Sequence, residues 1–245
     1  MRITPTNFSA LKNNPEQNKA PAFGHGNESF WKSDYSTKDK LIIAGTTALG
    51  VGGSLLALSK YRGYKINPKS FWKYLKTTQI KAPEIITMGV GTCLGGLTGG
   101  YIVDKNSENR KAKRREAIMQ LGNISIPILT VDLTDKLNNK LKVSKKTTKG
   151  KCIRAISSLG AIVVGIYIAN FIMNKVSNVI FKERANERGV KGTDLFPHID
   201  DVLASAQYID ENSNIAHKIA RIVPFALMVA GNEIGNKKAT INSLS

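Results

Sequence analysis

The side chains that could do chemistry in this chain of 245 residues are few and scattered. His198, Asp200 and Asp201 lie close together, and all three are residue types that bind metal ions. A metal site needs three or four converging ligands, whereas adjacent aspartates on a helix point about 100° apart. Pro197 followed by acids is also typical of a helix start. We therefore predict a helix start here, with no metal ligand and no cofactor.

A second group consists of polar residues inside or at the edges of apolar runs. Ionisable groups at membrane depth are costly, which makes them candidates for proton or ion passage. Asp132 and Glu233 lie at run ends, where interfacial water can solvate them, so a structural role is favoured. Asn170 lies deeper, and a hydrogen bond between helices accounts for it. Asn123 and Asn232 complete this group.

No pattern in the sequence predicts a catalytic residue. Cys93 and Cys152 fit neither a Cys-x-x-Cys nor a zinc-binding spacing. The patterns of serine-hydrolase elbows, zinc proteases and phosphate-binding loops do not occur, and no strand precedes the glycine-rich segment. Enzymatic activity is therefore left open, and a protein without it is favoured.

Three long runs without any charged residue dominate the chain. They cover residues 41–59, 85–103 and 155–174, which is 19, 19 and 20 residues. A hydrocarbon core of about 30 Å requires roughly 20 apolar residues in a helix. The runs predict an all-α integral membrane bundle of four to five helices within residues 41–240. Residues 117–131 are shorter and are left open as a span, a re-entrant piece or a buried interfacial helix. Residues 219–235 are also uncertain, because their apolar run is too short to span alone unless Arg221 snorkels and Glu233 is partnered.

The charges favour lipid as the partner. The formal net charge is +18 with 36 Lys and Arg, and the basic residues flank the apolar runs. In a soluble protein this would suggest nucleic acid, but beside membrane spans it favours anionic lipid. Residues 60–84 interleave seven basic residues with aromatic ones, which is typical of a segment on a membrane surface and less so of a single-strand binder. Residues 1–40 are predicted to be a disordered basic tail without a removable signal peptide, and residues 199–209 a short amphipathic helix.

The orientation depends on residues 117–131. If all five apolar runs cross, the basic loops alternate between sides and the positive-inside rule barely decides. If residues 117–131 stay on one face, the tail, residues 105–154 and the C-terminus share the more basic side. The second arrangement predicts a bacterial-type inner membrane with both termini in the cytoplasm.

Small residues recur at every fourth position in the three long runs, and this spacing places each set on one helix face. Such faces let helix backbones approach closely in lipid. They predict contacts between helices of the chain, with partner helices or with further copies in a homo-oligomer. The sets are Ala44, Ala48 and Gly52; Gly91, Gly95 and Gly99; and Ser157, Ala161, Gly165 and Ala169.

The glycines of the second run carry a resemblance. The series Gly89, Gly91, Gly95, Gly96, Gly99 and Gly100 resembles the glycine zippers of two-helix bacterial membrane families, some of which self-associate. The likeness covers residues 41–103, and this chain lacks the lipoprotein start of those families and adds later spans. The tail motif of residues 21–24 and the spacing of Pro224, Gly231 and Gly235 are similar to uncharacterised bacterial multi-pass proteins. That similarity implies a location and no activity.

Three functions follow as hypotheses. The first is a structural or interaction role in the membrane. The second is a transporter or pore component in which the second run lines a path and Asn170 or Glu233 contacts the passenger. The third is a membrane-bound enzyme that acts on lipid through His198 and Asp201.

Overall fold

The computed structural model describes residues 35–77, 81–181 and 221–239. These ranges hold six α-helices and no strand, so the prediction of an all-α helical bundle is confirmed. The helices are α1 (Thr37–Tyr61), α2 (Pro68–Thr77), α3 (Ala82–Val103), α4 (Ser107–Lys140), α5 (Thr148–Phe181) and α6 (Val223–Asn236).

Four of these helices are long and apolar enough to cross a membrane: α1, α3, α4 and α5. This is the architecture of a multi-pass membrane protein. The outer side of α5 carries large apolar side chains such as Phe171, which is 61% exposed. In a soluble protein such a surface would be a liability, whereas hydrocarbon accepts it.

Residues 117–131 belong to a helix more than twice as long as the apolar run. Asn106 caps the start of α4, because its Oδ1 accepts from the backbone N–H groups of Glu108 (2.9 Å) and Asn109 (3.1 Å). Good helix formers then carry the helix through the basic residues before the apolar part. Pro127 lies inside the helix without ending it. The charge of the basic residues before the apolar part is typical of a loop, but most of these residues belong to the helix itself.

The bundle is built around α3, which contacts α1, α4 and α6. Contacts between Gly50 and Gly91 and between Ile43 and Gly99 show that α1 and α3 are antiparallel. The pairs α3–α4 and α4–α5 are also antiparallel, and α5 packs against α4. The short helix α6 runs parallel to α3, with Gly231 beside Gly96. At 14 residues α6 is about 21 Å long, too short to cross a bilayer.

The helix directions define two ends of the bundle. The terminal face is where α1 and α4 begin and where α3, α5 and α6 end. The loop face carries α2 and the connection between α4 and α5, residues 141–147. Since α4 runs from one end to the other, the basic residues 105–115 and the lysine-rich residues 135–154 lie at opposite faces. The prediction that residues 105–154 share one side with both termini is therefore wrong.

Several predictions fall outside the described ranges. They are the tail as far as residue 34, the amphipathic helix over 199–209, and His198, Asp200 and Asp201. The helix α1 begins at Thr37, within the last residues of the predicted tail and four residues before the predicted span. Ser36 caps it by accepting from the Asp39 N–H at 3.2 Å.

Candidate functional site

The glycines of α3 lie where the helix touches its neighbours most closely. A methyl group added at Gly95 would place its carbon 2.8 Å from the Cα of Thr47 in α1. The same addition at Gly99 would meet the Cα of Ile43 at 2.8 Å, and Gly91 lies against Gly50. Because the opposing atoms belong to the backbone, a side chain here could only be accommodated by moving a helix.

A second edge of α3 makes the same kind of contact with α6. A methyl carbon at Gly96 would lie 2.8 Å from the carbonyl carbon of Gly231. Gly100 lies against Gly235 in the same way. One turn earlier, Thr92 donates its hydroxyl to the Leu227 carbonyl at 2.8 Å. The helix α3 therefore presents small residues to two neighbours, α1 and α6.

The α1 side of this contact uses residues other than the predicted ones. Ala48 is exposed, and Ala44 and Gly52 are half-buried. Among the described residues, no atom outside the local helix lies within 4 Å of a methyl group placed at Gly52. The residues that meet α3 are Ile43, Thr46, Thr47, Gly50 and Ser54. The predicted residues and the residues in contact each lie on one side of α1, so the sequence is compatible with either side of the helix meeting α3.

The four small residues of α5 face α4. Ala161, Gly165 and Ala169 are buried, and a methyl carbon at Gly165 would lie 2.6 Å from the Cα of Pro127. Ser157 is half-buried and accepts from the Asn138 amide at 2.9 Å. The backbones of α5 and α4 therefore lie close together at Pro127.

The predicted polar residues occupy three separate places. Asp132 forms an ion pair of 2.7 Å with Lys136 one turn along α4, on a largely exposed surface. Asn170 is half-buried on α5. Glu233 of α6 accepts from the Gln120 amide of α4 at 3.1 Å. These three residues do not form a common site, and within the described ranges no three His, Cys, Asp or Glu side chains cluster as metal ligands.

A buried lysine, which the sequence analysis did not single out, joins the chain segments at the terminal face. Lys113 of α4 has no exposed surface. Its ammonium donates to the Tyr35 hydroxyl at 2.9 Å and to the Lys237 carbonyl at 2.5 Å, and it lies 3.8 Å from Asp104. These partners come from the segment before α1, the segment after α6 and the α3–α4 turn. We call this group the terminal clasp: Lys113, Tyr35, Asp104 and Lys237.

The charges of the terminal clasp are held by hydrogen bonds. Burial favours the protonated form of Asp104, but hydrogen bonds from Tyr35, Asn106 and Asn109 and the nearby Lys113 outweigh it and lower the Asp104 pKa. The pKa of Tyr35 is raised by burial and by the carboxylate of Asp104, to which it donates a hydrogen bond. At neutral pH the clasp therefore pairs a carboxylate with a neutral phenol and a lysine.

A buried arginine makes the corresponding junction at the loop face. Arg154 at the start of the apolar part of α5 is 2% exposed. Its guanidinium donates to Asp135 at 2.6 Å, to the Asn139 side chain at 2.7 Å and to the Val143 carbonyl at 2.7 Å. These bonds tie α4, its connecting loop and α5 together. In the sequence, Arg154 and Lys113 are recognisable only as charged residues near an apolar run. Many exposed charged residues have the same position, so the sequence does not predict that these two are buried.

The helix α2 lies at the loop face on the corner of α1 and α3. Its Tyr74 is 2% exposed and meets the Tyr64 ring edge-on with centroids 5.4 Å apart. Burial, with Glu84 nearby, raises the pKa of Tyr74 to about 12, so it is a neutral phenol. Glu84 lies in the first turn of α3, is 1% exposed and is ion-paired with Arg62. Trp72 points outward with 62% of its surface exposed.

Comparisons with protein families, curated proteins and solved structures find no match to this chain.

Proposed function

We propose that the protein is a structural or interaction-type component of a membrane, packed through small-residue helix faces and held by anionic lipid at its basic ends. The observation that carries this proposal is the double contact of α3, whose glycines lie against the backbones of both α1 and α6. The resemblance to glycine-zipper families, including their self-association, belongs to the same proposal.

Close backbone contact favours a structural role over a conducting one. Hydrophobic burial gives helices little reason to associate in lipid, so packing and weak hydrogen bonds must hold them. Gly91, Gly95 and Gly99 on one edge and Gly96 and Gly100 on the other bring backbones close enough for both. Such contacts leave no room for a passenger between α1, α3 and α6 at these positions.

The charge at both ends supports a role for anionic lipid. The described segments place 16 Lys and Arg at the loop face, including Arg221 before α6, and 11 at the terminal face. Juxtamembrane Lys and Arg each gain about 1 kcal/mol near an anionic surface. The two counts are too close for the positive-inside rule to choose a side. A bacterial inner membrane is the proposed location, and the cytoplasmic position of the termini stays a prediction.

A lipid-dependent unfolding experiment tests this function. The purified protein is heated in mixed micelles with added phosphatidylglycerol or phosphatidylcholine, and unfolding is followed by circular dichroism. We expect the anionic lipid to raise the unfolding temperature by several degrees more than the zwitterionic one. Replacement of Lys142, Lys145, Lys146 and Lys149 by Gln should reduce the difference. Equal effects of both lipids on the unmodified chain would contradict the proposal.

One observation favours a transporter or pore component as the second candidate. The Gln120 amide donates to Glu116 at 3.0 Å and to Glu233 at 3.1 Å, which joins two carboxylates between α4 and α6. Lys237 lies 3.5 Å from Glu116 at the terminal face. Carboxylates in such positions can relay cations or protons.

Ion flux distinguishes the two candidates. Vesicles containing the protein are loaded with a pH-sensitive dye and subjected to a proton or potassium gradient. Flux that disappears in Glu233→Gln, and persists in Asp132→Asn, would favour the transporter. We expect that the ion flux into vesicles containing the protein does not exceed the flux into protein-free vesicles. The third hypothesis, an enzyme acting on lipid, depends on His198 and Asp201 and stays a prediction.

A further inference from the structure

The outer surface of α2 combines a large aromatic side chain with exposed lysine side chains. Trp72 is 62% exposed, and Tyr61 and Ile66 just before the helix are 85% and 67% exposed. Lys65 and Lys69 beside them are exposed as well. Large apolar groups next to lysines are unfavourable in water but suit the headgroup region of a bilayer, where amphipathic side chains place ring and charge at different depths.

The sequence around this surface is basic and contains no acidic residue. Residues 60–81 contain seven Lys and Arg and no Asp or Glu. The acid that follows, Glu84, is buried and ion-paired with Arg62. The first turn of α2 also lacks an acid and contains Lys69, which is an unfavourable place for a cation in a helix. Helix stability therefore does not account for this lysine, whereas attraction to an anion does.

The other side of α2 is held by the bundle, so the outer surface has a defined direction. Tyr74 packs in the core with Leu58, Ala82 and Ile85. The Phe71 ring stacks near Tyr74 with centroids 6.5 Å apart. The helix cannot turn Trp72 inward without removing Tyr74 from this core.

We infer that the outer surface of α2 binds the headgroups of anionic phospholipids, with Trp72 at headgroup depth and Lys65 and Lys69 on the phosphate oxygens. The inference rests on the proposed membrane location and names the lipid class and the residues at this corner. The lysine ammonium groups donate to phosphate oxygens, and the indole N–H of Trp72 donates to the ester region. Single-stranded nucleic acid is the competing ligand for such a surface, because its bases stack on aromatic rings.

Quenching of Trp72 fluorescence by brominated lipids tests the inference. The chain has two tryptophans, so Trp31→Phe makes Trp72 the only emitter. The full chain is placed in nanodiscs of phosphatidylcholine in which either this lipid or phosphatidylglycerol is brominated. We expect quenching by both, with an anionic preference of about fivefold for each lysine engaged. Lys65→Gln with Lys69→Gln should reduce the preference to near equality while the quenching itself persists.

A matched variant separates this corner from general charge effects. Lys140→Gln with Lys146→Gln removes two exposed lysines from the same face near the α4–α5 connection, and it should leave the preference at Trp72 unchanged. An equal loss in this variant would overturn the inference. Quenching of Trp72 by iodide but by neither brominated lipid would also overturn it. So would quenching by an oligothymidylate in lipid-free micelles, if Trp72 in nanodiscs shows no preference between the two lipids. Failure of the chain to enter nanodiscs would instead refute the membrane location.

Discussion

The close approach of α3 to α1 gives a direct test of the packing at Gly95. An alanine there would place its Cβ 2.8 Å from the Cα of Thr47 and 3.1 Å from the carbonyl carbon of Thr46. Carbon atoms prefer a separation of about 3.5–4.0 Å, so the helices must separate by roughly 1 Å. No side-chain rotation can relieve the overlap, because both opposing atoms belong to the backbone.

The magnitude follows from two opposing contributions. Overpacking of this kind costs about 1–3 kcal/mol. The higher helix propensity of alanine returns at most about 1 kcal/mol. We expect Gly95→Ala to lower the free energy of unfolding by roughly 1–2 kcal/mol, and Gly95→Leu to lower it further and weaken association in detergent.

Reversible unfolding by dodecyl sulfate in mixed micelles, followed by helical circular dichroism, measures this difference. Gly45→Ala on α1 is the matched control, because in the part of the chain that the structure describes no atom outside the local helix lies within 4 Å of the added methyl group. It should be neutral or slightly stabilising. If Gly95→Ala unfolds at the same dodecyl sulfate fraction as Gly45→Ala, the reasoning about backbone contact is refuted.

Three further predictions concern the two faces. Arg154→Gln removes the buried cation of an ion pair and leaves the half-buried Asp135 carboxylate unpaired, which should cost about 3–5 kcal/mol. Lys136→Gln at an exposed ion pair should cost at most about 1 kcal/mol in the same titration. Cys152 is exposed and Cys93 buried, so an impermeant maleimide should label the native chain once. The loop face lies opposite the termini, so cytoplasmic termini predict labelling of Cys152 in intact cells, and labelling only in opened cells would contradict them. Because the Asp104 pKa is lowered, the contribution of Asp104 to stability is present above the ordinary carboxylate pKa and is lost as the pH falls through the lowered value. The thermal unfolding temperature should therefore fall less between about pH 6 and 3 in Asp104→Asn than in the unmodified chain. The same pH profile in both proteins would count against the clasp.

The membrane-spanning helices were largely readable from the sequence because span length and lack of charge are local properties. The runs at residues 41–59, 85–103 and 155–174 lie inside α1, α3 and α5. The same criterion failed for α4, since its charged first turns suggested a loop. A cap at Asn106 and a series of good helix formers extend α4 through them.

The candidate site was less predictable. The glycines of α3 stood out because five of them lie within ten residues, 91–100. On α1 the small residues are more dispersed, and the sequence indicated Ala48 where the structure uses Thr47 and Gly50. Nothing local separates a buried cation such as Lys113 from its exposed neighbours, because its partners lie far away in the chain.

By itself the sequence determined that this chain forms long apolar helices and that basic segments separate them, since both properties depend on composition over about 20 residues. Only the tertiary structure decided which side of α1 meets α3, that residues 105–115 and 135–154 lie at opposite faces, and that Lys113 and Arg154 are buried. Those outcomes depend on how distant segments pack, because a helix offers several possible faces and its neighbours determine which of them becomes the contact.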